Sequence, residues 1–320
     1  MAFSARFHRR NPVAHVWELW GRYWLLPLLP LLYAAAITAI VGFGPVHLAV
    51  ALAVVALGFG TPATKRFLSV TYPLLFVGVA YDVYGFAQSA VLAKAEHTCW
   101  ARNLELDLFA AGPNLTWQDY WAIHHTPVLD VFFAVPYAGF IYILAGYAIF
   151  LSFIDELRTR QFIWAVSISY LLAIAIWMAV PTSPPWYVQS YGCAINLSAP
   201  GSAAGLARVD HLLGITYFQE FYGHSPAIFA AFPSLHCAFP VIGLIVGWRG
   251  ATWLTRPIHL FYALAMFAGS IYLDHHWIID GVAGWCVAAV AASVSLSILA
   301  RLGHSPPGGE RLDPDAVIVT

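Results

Sequence analysis

The sequence predicts an all-α fold, a polytopic transmembrane helical bundle of about eight spans. Three observations carry that prediction. Apolar residues make up 60% of the 320-residue chain and charged residues only 10%, with mean hydropathy +0.71; a soluble domain of this size carries about 25% charged residues. The apolar residues gather into runs of spanning or near-spanning length. The basic residues fall almost entirely on one side of those runs. A net charge of −1 says nothing about partners.

The runs lie at 24–43, 46–60, 67–93, 128–153, 162–180, 236–248, 255–273 and 277–300. The second is short, and the sixth borrows residues from its flanks to span. Residues 24–60 also read as a re-entrant hairpin, which leaves the later topology unchanged. Arg6, Arg9, Arg10 and Arg22 precede a full-length span with no small-residue cleavage pattern, so the N-terminus does not read as a cleavable signal. Three segments follow: 1–60, an N-terminal segment with the first helix pair; 61–302, a catalytic membrane domain; and 303–320, where Pro306-Pro307-Gly308-Gly309 predicts a disordered cytoplasmic tail.

With eight spans, both termini and the loops near 61–66, 154–161 and 249–256 share one side, which collects twelve of the fifteen Lys and Arg. The positive-inside rule makes that side cytoplasmic. Lys94, Arg102 and Arg208 remain on the opposite face, which carries two long connections. Residues 94–127, with Trp117 to Trp121, read as a short amphipathic helix at the interface. Residues 181–235 begin Pro181-Thr182-Ser183-Pro184-Pro185-Trp186-Tyr187, where prolines stop the fifth span, and continue into Arg208-Val209-Asp210-His211-Leu212-Leu213-Gly214, a surface helix. Cys99 and Cys193 share this face and read equally as a disulfide or as two unpaired small residues. Asn114-Leu115-Thr116 and Asn196-Leu197-Ser198 are glycosylation sequons on the same side.

Two stretches on that face carry chemistry. In Asp274-His275-His276-Trp277-Ile278-Ile279-Asp280, His276 and Asp280 are i and i+4, so a helix start would put them on one face. A carboxylate bonded to one imidazole nitrogen fixes the tautomer and makes the other nitrogen a better nucleophile. His275 would then point about 100° away and serve at the rim. In Pro233-Ser234-Leu235-His236, Ser234 reads as the N-cap of the sixth span. The helix start offers free N–H groups to a phosphate, and His236 suits a general acid and base. Taken alone, each stretch also reads as an ordinary capped helix end with an interfacial histidine. Together they are far more specific. His124, His125 and Asp130 read as interface capping or headgroup contacts, and Asp82 is an acid inside the third span that needs a polar partner there. Trp186 and Tyr187 read as interfacial aromatics or as contacts to a sugar or inositol ring.

Pro-Ser-x-His at 233–236, then His-x-x-x-Asp at 276–280 with Gly284 four residues on, resembles the type 2 phosphatidic acid phosphatase superfamily. The wider pattern is similar to its inositol phosphorylceramide synthase (inositolphosphotransferase) branch. It comprises 181–187, Arg208-Val209-Asp210 with Leu213-Gly214, and Ala231-Phe232-Pro233-Ser234-Leu235-His236, and the resemblance covers roughly 65–300. It implies a six-helix phosphatidic acid phosphatase-like core within 61–302, with His276 as nucleophile, Asp280 as its orienting partner and His236 as acid and base. The phosphatases' Lys-x6-Arg-Pro motif is not matched, since Lys94 and Arg102 are spaced differently and Asn103 stands where proline would be. Gly269 and Ser270 stand where the phosphatases carry Ser-Arg, as in the synthase branch. Arg208 first, then Lys94 and Arg102, are the candidate replacement cations.

The reading is therefore an integral membrane phosphotransferase. It moves a phosphoryl-linked headgroup, with phosphoinositol the one the branch implies, from a lipid donor to a lipid or glycan hydroxyl through a phosphohistidine. A lipid phosphate phosphatase using water is the alternative. A transporter fits less well, because the polar residues cluster at one face rather than recurring at mid-depth. The expected partners are a membrane lipid substrate and the bilayer, with no nucleic acid and no obligate protein partner. No cofactor is implied: the thirteen histidines lack zinc-ligand spacing, and histidines with helix dipoles carry the charge. The active site should open on the extracytoplasmic (periplasmic or lumenal) face, with cytoplasmic termini.

Overall fold

The computed structural model describes residues 11–42, 44–92, 98–223 and 227–301. Among these residues the chain forms sixteen α-helices, and its only β-pairing consists of isolated bridges. The expected tail from 303 lies outside the described residues, as does Lys94. The chain divides into two compact units, Met1–Tyr72 and Pro73–Thr320.

The first unit holds α1 (Pro12–Trp20), α2 (Leu29–Val41), α3 (Pro45–Gly60) and α4 (Pro62–Thr71). Each has a proline in its first turn, where the missing N–H costs nothing. Thr61 and Thr64 close a capping box at α4, and α4 packs on α3. This unit therefore takes in α4, which a boundary at residue 60 would assign to the larger domain. The Trp20 indole N–H donates to the Gly58 carbonyl at 2.8 Å and ties α1 to α3. The run at 24–43 begins at a sharp bend: Val13–Tyr23 and Leu26–Ile40 meet at 92°, with Pro27 just past the break.

The second unit holds α5 (Pro73–Leu92), α6 (Trp100–Phe109), α7 (Trp117–His124), α8 (Pro127–Ala138), α9 (Phe140–Ile154), α10 (Glu156–Ala179), α11 (Pro185–Tyr191), α12 (Leu206–Leu213), α13 (Tyr217–Gly223), α14 (Leu235–Gly247), α15 (Arg256–Tyr272) and α16 (Ile278–Arg301). Each apolar run is helical in whole or large part. Helices α5, α10 and α16 are each long and apolar enough to cross a membrane, and α3 and α14 are shorter apolar helices. The run at 128–153 is the pair α8 and α9, bent by 46°, because Pro136 lies inside α8 and removes a helical hydrogen bond there. If each bent pair is one span, five helices or pairs qualify. Large side chains such as Phe153 at 86% exposure and Val128 at 78% face outward, as a lipid-facing surface requires. The chain is an integral membrane protein.

Helix α16 packs against α10 and α14, and α14 also packs on α15. The contact face of α16 is built from small residues, Gly281, Gly284, Ala288, Ala291 and Ala292, all buried. Small side chains let membrane helices approach closely. Ser295 Oγ donates to the Gln161 carbonyl at 2.8 Å and pins the far end of α16 to α10. The 94–127 connection contains two helices, α6 and α7, instead of one, separated by the turn at Gly112 to Leu115. Cys99 and Cys193 are joined in a disulfide, which fastens the start of α6 to the chain after α11.

Candidate active site

The start of α14 is fixed from two directions. Ser234 is its N-cap, its hydroxyl accepting from Cys237 N–H at 3.3 Å. The Ser234 N–H donates to the Asp280 carbonyl at 3.0 Å, which ties α14 to the first turn of α16. Gly284 makes this approach possible, since a Cβ there would lie 2.2 Å from the Ser234 carbonyl oxygen. Ser234 thus caps the helix in full burial, and its side chain does not line the cavity described below, contrary to the substrate-contacting place expected for it.

His276 precedes α16 rather than sitting in it. Residues 274–277 form a turn in which Asp274 has φ +65°, and the His275 and His276 N–H groups both donate to the Ser270 carbonyl, at 3.0 and 3.1 Å. The His276 Nδ1 lies 3.1 Å from the Ala231 carbonyl and 3.5 Å from Asp280 Oδ2. A carbonyl can only accept, so Nδ1 carries the proton and Nε2 keeps its lone pair. The Nε2 in turn lies 3.3 Å from His236 Nδ1. The expected Asp280–His276 proximity is present, but the backbone carbonyl is the nearer partner. Asp280 Oδ2 also accepts from Trp277 N–H at 2.9 Å.

Two residues beneath this turn escaped sequence reasoning. Glu105 of α6 is fully buried and accepts from Ile278 N–H at 2.9 Å. Gln118 of α7, also fully buried, donates to Glu105 at 3.1 Å and to the His276 carbonyl at 2.9 Å. Burial pushes the Glu105 carboxyl up to about 7, against the pull of its bonds from Gln118 and Ile278. A buried acid and amide on helices that otherwise read as interfacial were the available signal.

His275 departs from the expected rim position, because the 100° rotation assumed a helix and the residue sits in the turn. It lines the cavity, its Nε2 donating to the Ala203 carbonyl at 3.1 Å. Burial first, then the neighbouring His276, pushes it down to about 3, so it is neutral at physiological pH. Beside it, burial and Asp119 raise the Asp274 carboxyl well above the usual range, and Gln189 bridges the two acids at 3.2 and 3.1 Å.

The histidines open onto a cavity of about 340 Å³. His236, His275, His276 and Trp186 line it, as do Tyr137 and Tyr222. The His236 ring stacks on Tyr137 at 4.5 Å and meets Phe140 edge-on at 4.3 Å. From α5 it is Tyr81, not Asp82, that reaches the wall.

Arg208, Arg102 and Tyr187 are not among the lining residues. Arg208 Nε bonds Asp130 Oδ1 at 2.8 Å, and Tyr272 and His125 hold the same carboxylate at 2.9 and 3.3 Å. Asp130 is 3% exposed, and a buried carboxylate needs a cation, which Arg208 supplies through Nε. Tyr187 is fully buried, its hydroxyl donating to the Ala194 carbonyl and accepting from Asn196 N–H, both at 2.7 Å. It pins the loop after α11 instead of touching a ring substrate.

Residues 112–294 match the model of the PAP2 superfamily. A phosphoinositol dihydroceramide synthase of Bacteroides thetaiotaomicron is 30% identical over 79% of this chain and 84% of its own length. An inositol phosphorylceramide synthase catalytic subunit of Schizosaccharomyces pombe is 28% identical over 73% of this chain and 55% of its own. An inositol phosphorylceramide synthase of Candida albicans is 35% identical over 50% and 34%. The match thus spans about half or less of these two fungal relatives. No solved structure matches the chain. With the matched region enclosing both histidine motifs, the chain belongs to the PAP2 superfamily, in its inositol phosphorylceramide synthase-like branch, and is a membrane phosphoryl-transfer enzyme.

Proposed function

We propose that the protein transfers a phosphoinositol headgroup from a glycerolipid donor to the hydroxyl of a ceramide-type lipid. The observation that carries this reading is the bare His276 Nε2 facing His236 Nδ1 at 3.3 Å in the cavity wall. The phosphoryl group enters the cavity that both rings line. His276 Nε2 attacks phosphorus and the bond to the diacylglycerol oxygen breaks, that oxygen taking a proton from His236. The acceptor hydroxyl then attacks the phosphohistidine, returning its proton to His236 and freeing His276. Asp280, 3.5 Å from Nδ1, stabilises the positive imidazole that forms when Nε2 bonds to phosphorus. The names of the relatives supply the phosphoinositol headgroup and the ceramide-type acceptor, and the residues supply the two-step chemistry.

The test uses protein in liposomes holding a phosphoinositol lipid with and without added ceramide. A new inositol phosphosphingolipid should form only with ceramide, and His276→Ala, His236→Ala and Asp280→Asn should each lose turnover while staying folded. Full activity of His276→Ala would sink the mechanism. Headgroup release that ignores ceramide would make the enzyme a hydrolase. The site opens on the extracytoplasmic face, on the charge asymmetry of the loops. A cysteine placed beside Arg208 should therefore react with an impermeant reagent in intact cells; labelling only after lysis reverses the orientation.

A further inference from the structure

The described lining residues of the cavity include three histidines but no lysine or arginine, so among them neutral donors are the groups available to the phosphoryl oxygens. Two tyrosines in its wall stand out. The Tyr137 and Tyr222 hydroxyls are both buried with no hydrogen-bond partner among the described residues. Leaving a buried hydroxyl unpaired is costly, and such groups in native proteins call for an explanation, a missing ligand among them. Both rings are held in place from the side. His275 lies against both, 4.9 Å from Tyr137 and 4.9 Å from Tyr222, and is itself fixed by the Ala203 carbonyl. Tyr137 stacks on His236. The Tyr222 backbone is packed against Gly201, where a Cβ would lie 2.1 Å from the Tyr222 carbonyl oxygen. A third unpaired buried atom, His236 Nε2, belongs to the same wall.

We propose that Tyr137 and Tyr222 donate their hydroxyl hydrogens to the non-bridging oxygens of the phosphoryl group, forming a neutral clamp in place of a cationic one. This rests on the proposed function in one respect: the substrate is a phosphodiester. A diester carries one negative charge, whereas a monoester carries about 1.5 to 2 at neutral pH. A single charge shared over two oxygens suits two neutral donors in a low-dielectric wall. A dianion would leave a full charge uncompensated there. The clamp therefore selects for diesters and against monoesters, and it explains why the site works while Arg208 is engaged by Asp130. His275 acts through the tyrosines as a positioning residue.

Replacing tyrosine by phenylalanine keeps the ring and its stacking and removes only the hydroxyl. Donor consumption is the readout, since it precedes the choice between ceramide and water and so separates this inference from the proposed function. Tyr137→Phe and Tyr222→Phe should each lower kcat for consumption of the phosphoinositol lipid about 10²-fold, the usual cost of one oxyanion donor. Their melting temperatures should hold or rise, because an unpaired buried group has gone. Wild type should consume the phosphoinositol lipid faster than phosphatidic acid. Undiminished kcat in both variants would overturn the clamp, as would activity losses that track a fall in melting temperature. Faster turnover of phosphatidic acid by wild type would overturn the preference for diesters. If wild type consumes donor without ceramide dependence while the variants are slow, the clamp stands and the acceptor assignment falls.

Discussion

Gly284→Ala is the sharpest perturbation of the site that leaves every catalytic group in the chain. The added Cβ would lie 2.2 Å from the Ser234 carbonyl oxygen and 3.4 Å from Cys237 Cβ. The second contact is ordinary; the first is impossible, and its partner is backbone, which cannot rotate away. The N-terminus of α14 must retreat from α16 by nearly an ångström. His236 rides on that first turn, two residues beyond Ser234, whereas His276 is anchored from below by Gln118 and by the Ser270 carbonyl. The 3.3 Å spacing of the two imidazoles therefore opens. A misplacement of about 1 Å costs on the order of 10²-fold in rate, or about 2.7 kcal/mol, and overpacking costs about 1–3 kcal/mol of stability. The assay is donor consumption in liposomes beside a thermal melt in detergent. Gly146→Ala, in α9 with open space around its Cβ, is the control and should leave the rate alone. Wild-type turnover and melting temperature in Gly284→Ala would refute the argument that this glycine sets the histidine spacing.

Three further outcomes follow from the buried groups. Burial pushes the Glu105 carboxyl up to about 7 in the folded protein, from about 4.5 for a free glutamate. Its folded pKa is raised, so its contribution is most favourable at low pH and is lost as pH rises from about 4.5 to 7, by about 3 kcal/mol at most. The melting difference of Glu105→Gln relative to wild type should thus become more positive between pH 5 and pH 8; a pH-independent difference refutes the assignment. Arg208→Ala should destabilise by about 3–5 kcal/mol, because Asp130 stays buried without its cation. Arg208→Met with Asp130→Leu should restore most of that stability and retain turnover, and an inactive but stable double variant would return Arg208 to the substrate. Denatured protein should show two free thiols without reductant, Cys237 and Cys286, and four with it. Four thiols without reductant would contradict the disulfide.

What the sequence revealed and what it concealed divides along chain separation. Ser234 as N-cap of the helix bearing His236 is a local signal and is found where the pattern implied, and the motif glycine Gly284 proves to be the point of close approach. The span-length runs were legible because lipid demands apolar faces, but their breaks depended on single prolines: Pro136 turned one run into two helices. His275 lines the cavity rather than the rim because the left-handed Asp274 turns residues 274–277 out of the helix that the i, i+4 spacing implies. Arg208 was chosen by elimination among the basic residues of one face. Elimination cannot see that Asp130, buried 78 positions away, needs a cation first. Glu105 and Gln118 lie 173 and 158 positions from the groups they hold, and no local pattern marks such a pairing.

Those long separations bear on how the protein is made. Synthesis proceeds from the N-terminus, so α6 and α7 are made well before α16. Until then Glu105 has no Ile278 N–H to hold it and Gln118 no His276 carbonyl. Both polar groups must wait in water or against headgroups. His276 and these supports can come together only once the segment joining α15 to α16 has been made. A chain interrupted before that segment would hold His236 without His276, its neighbour at 3.3 Å.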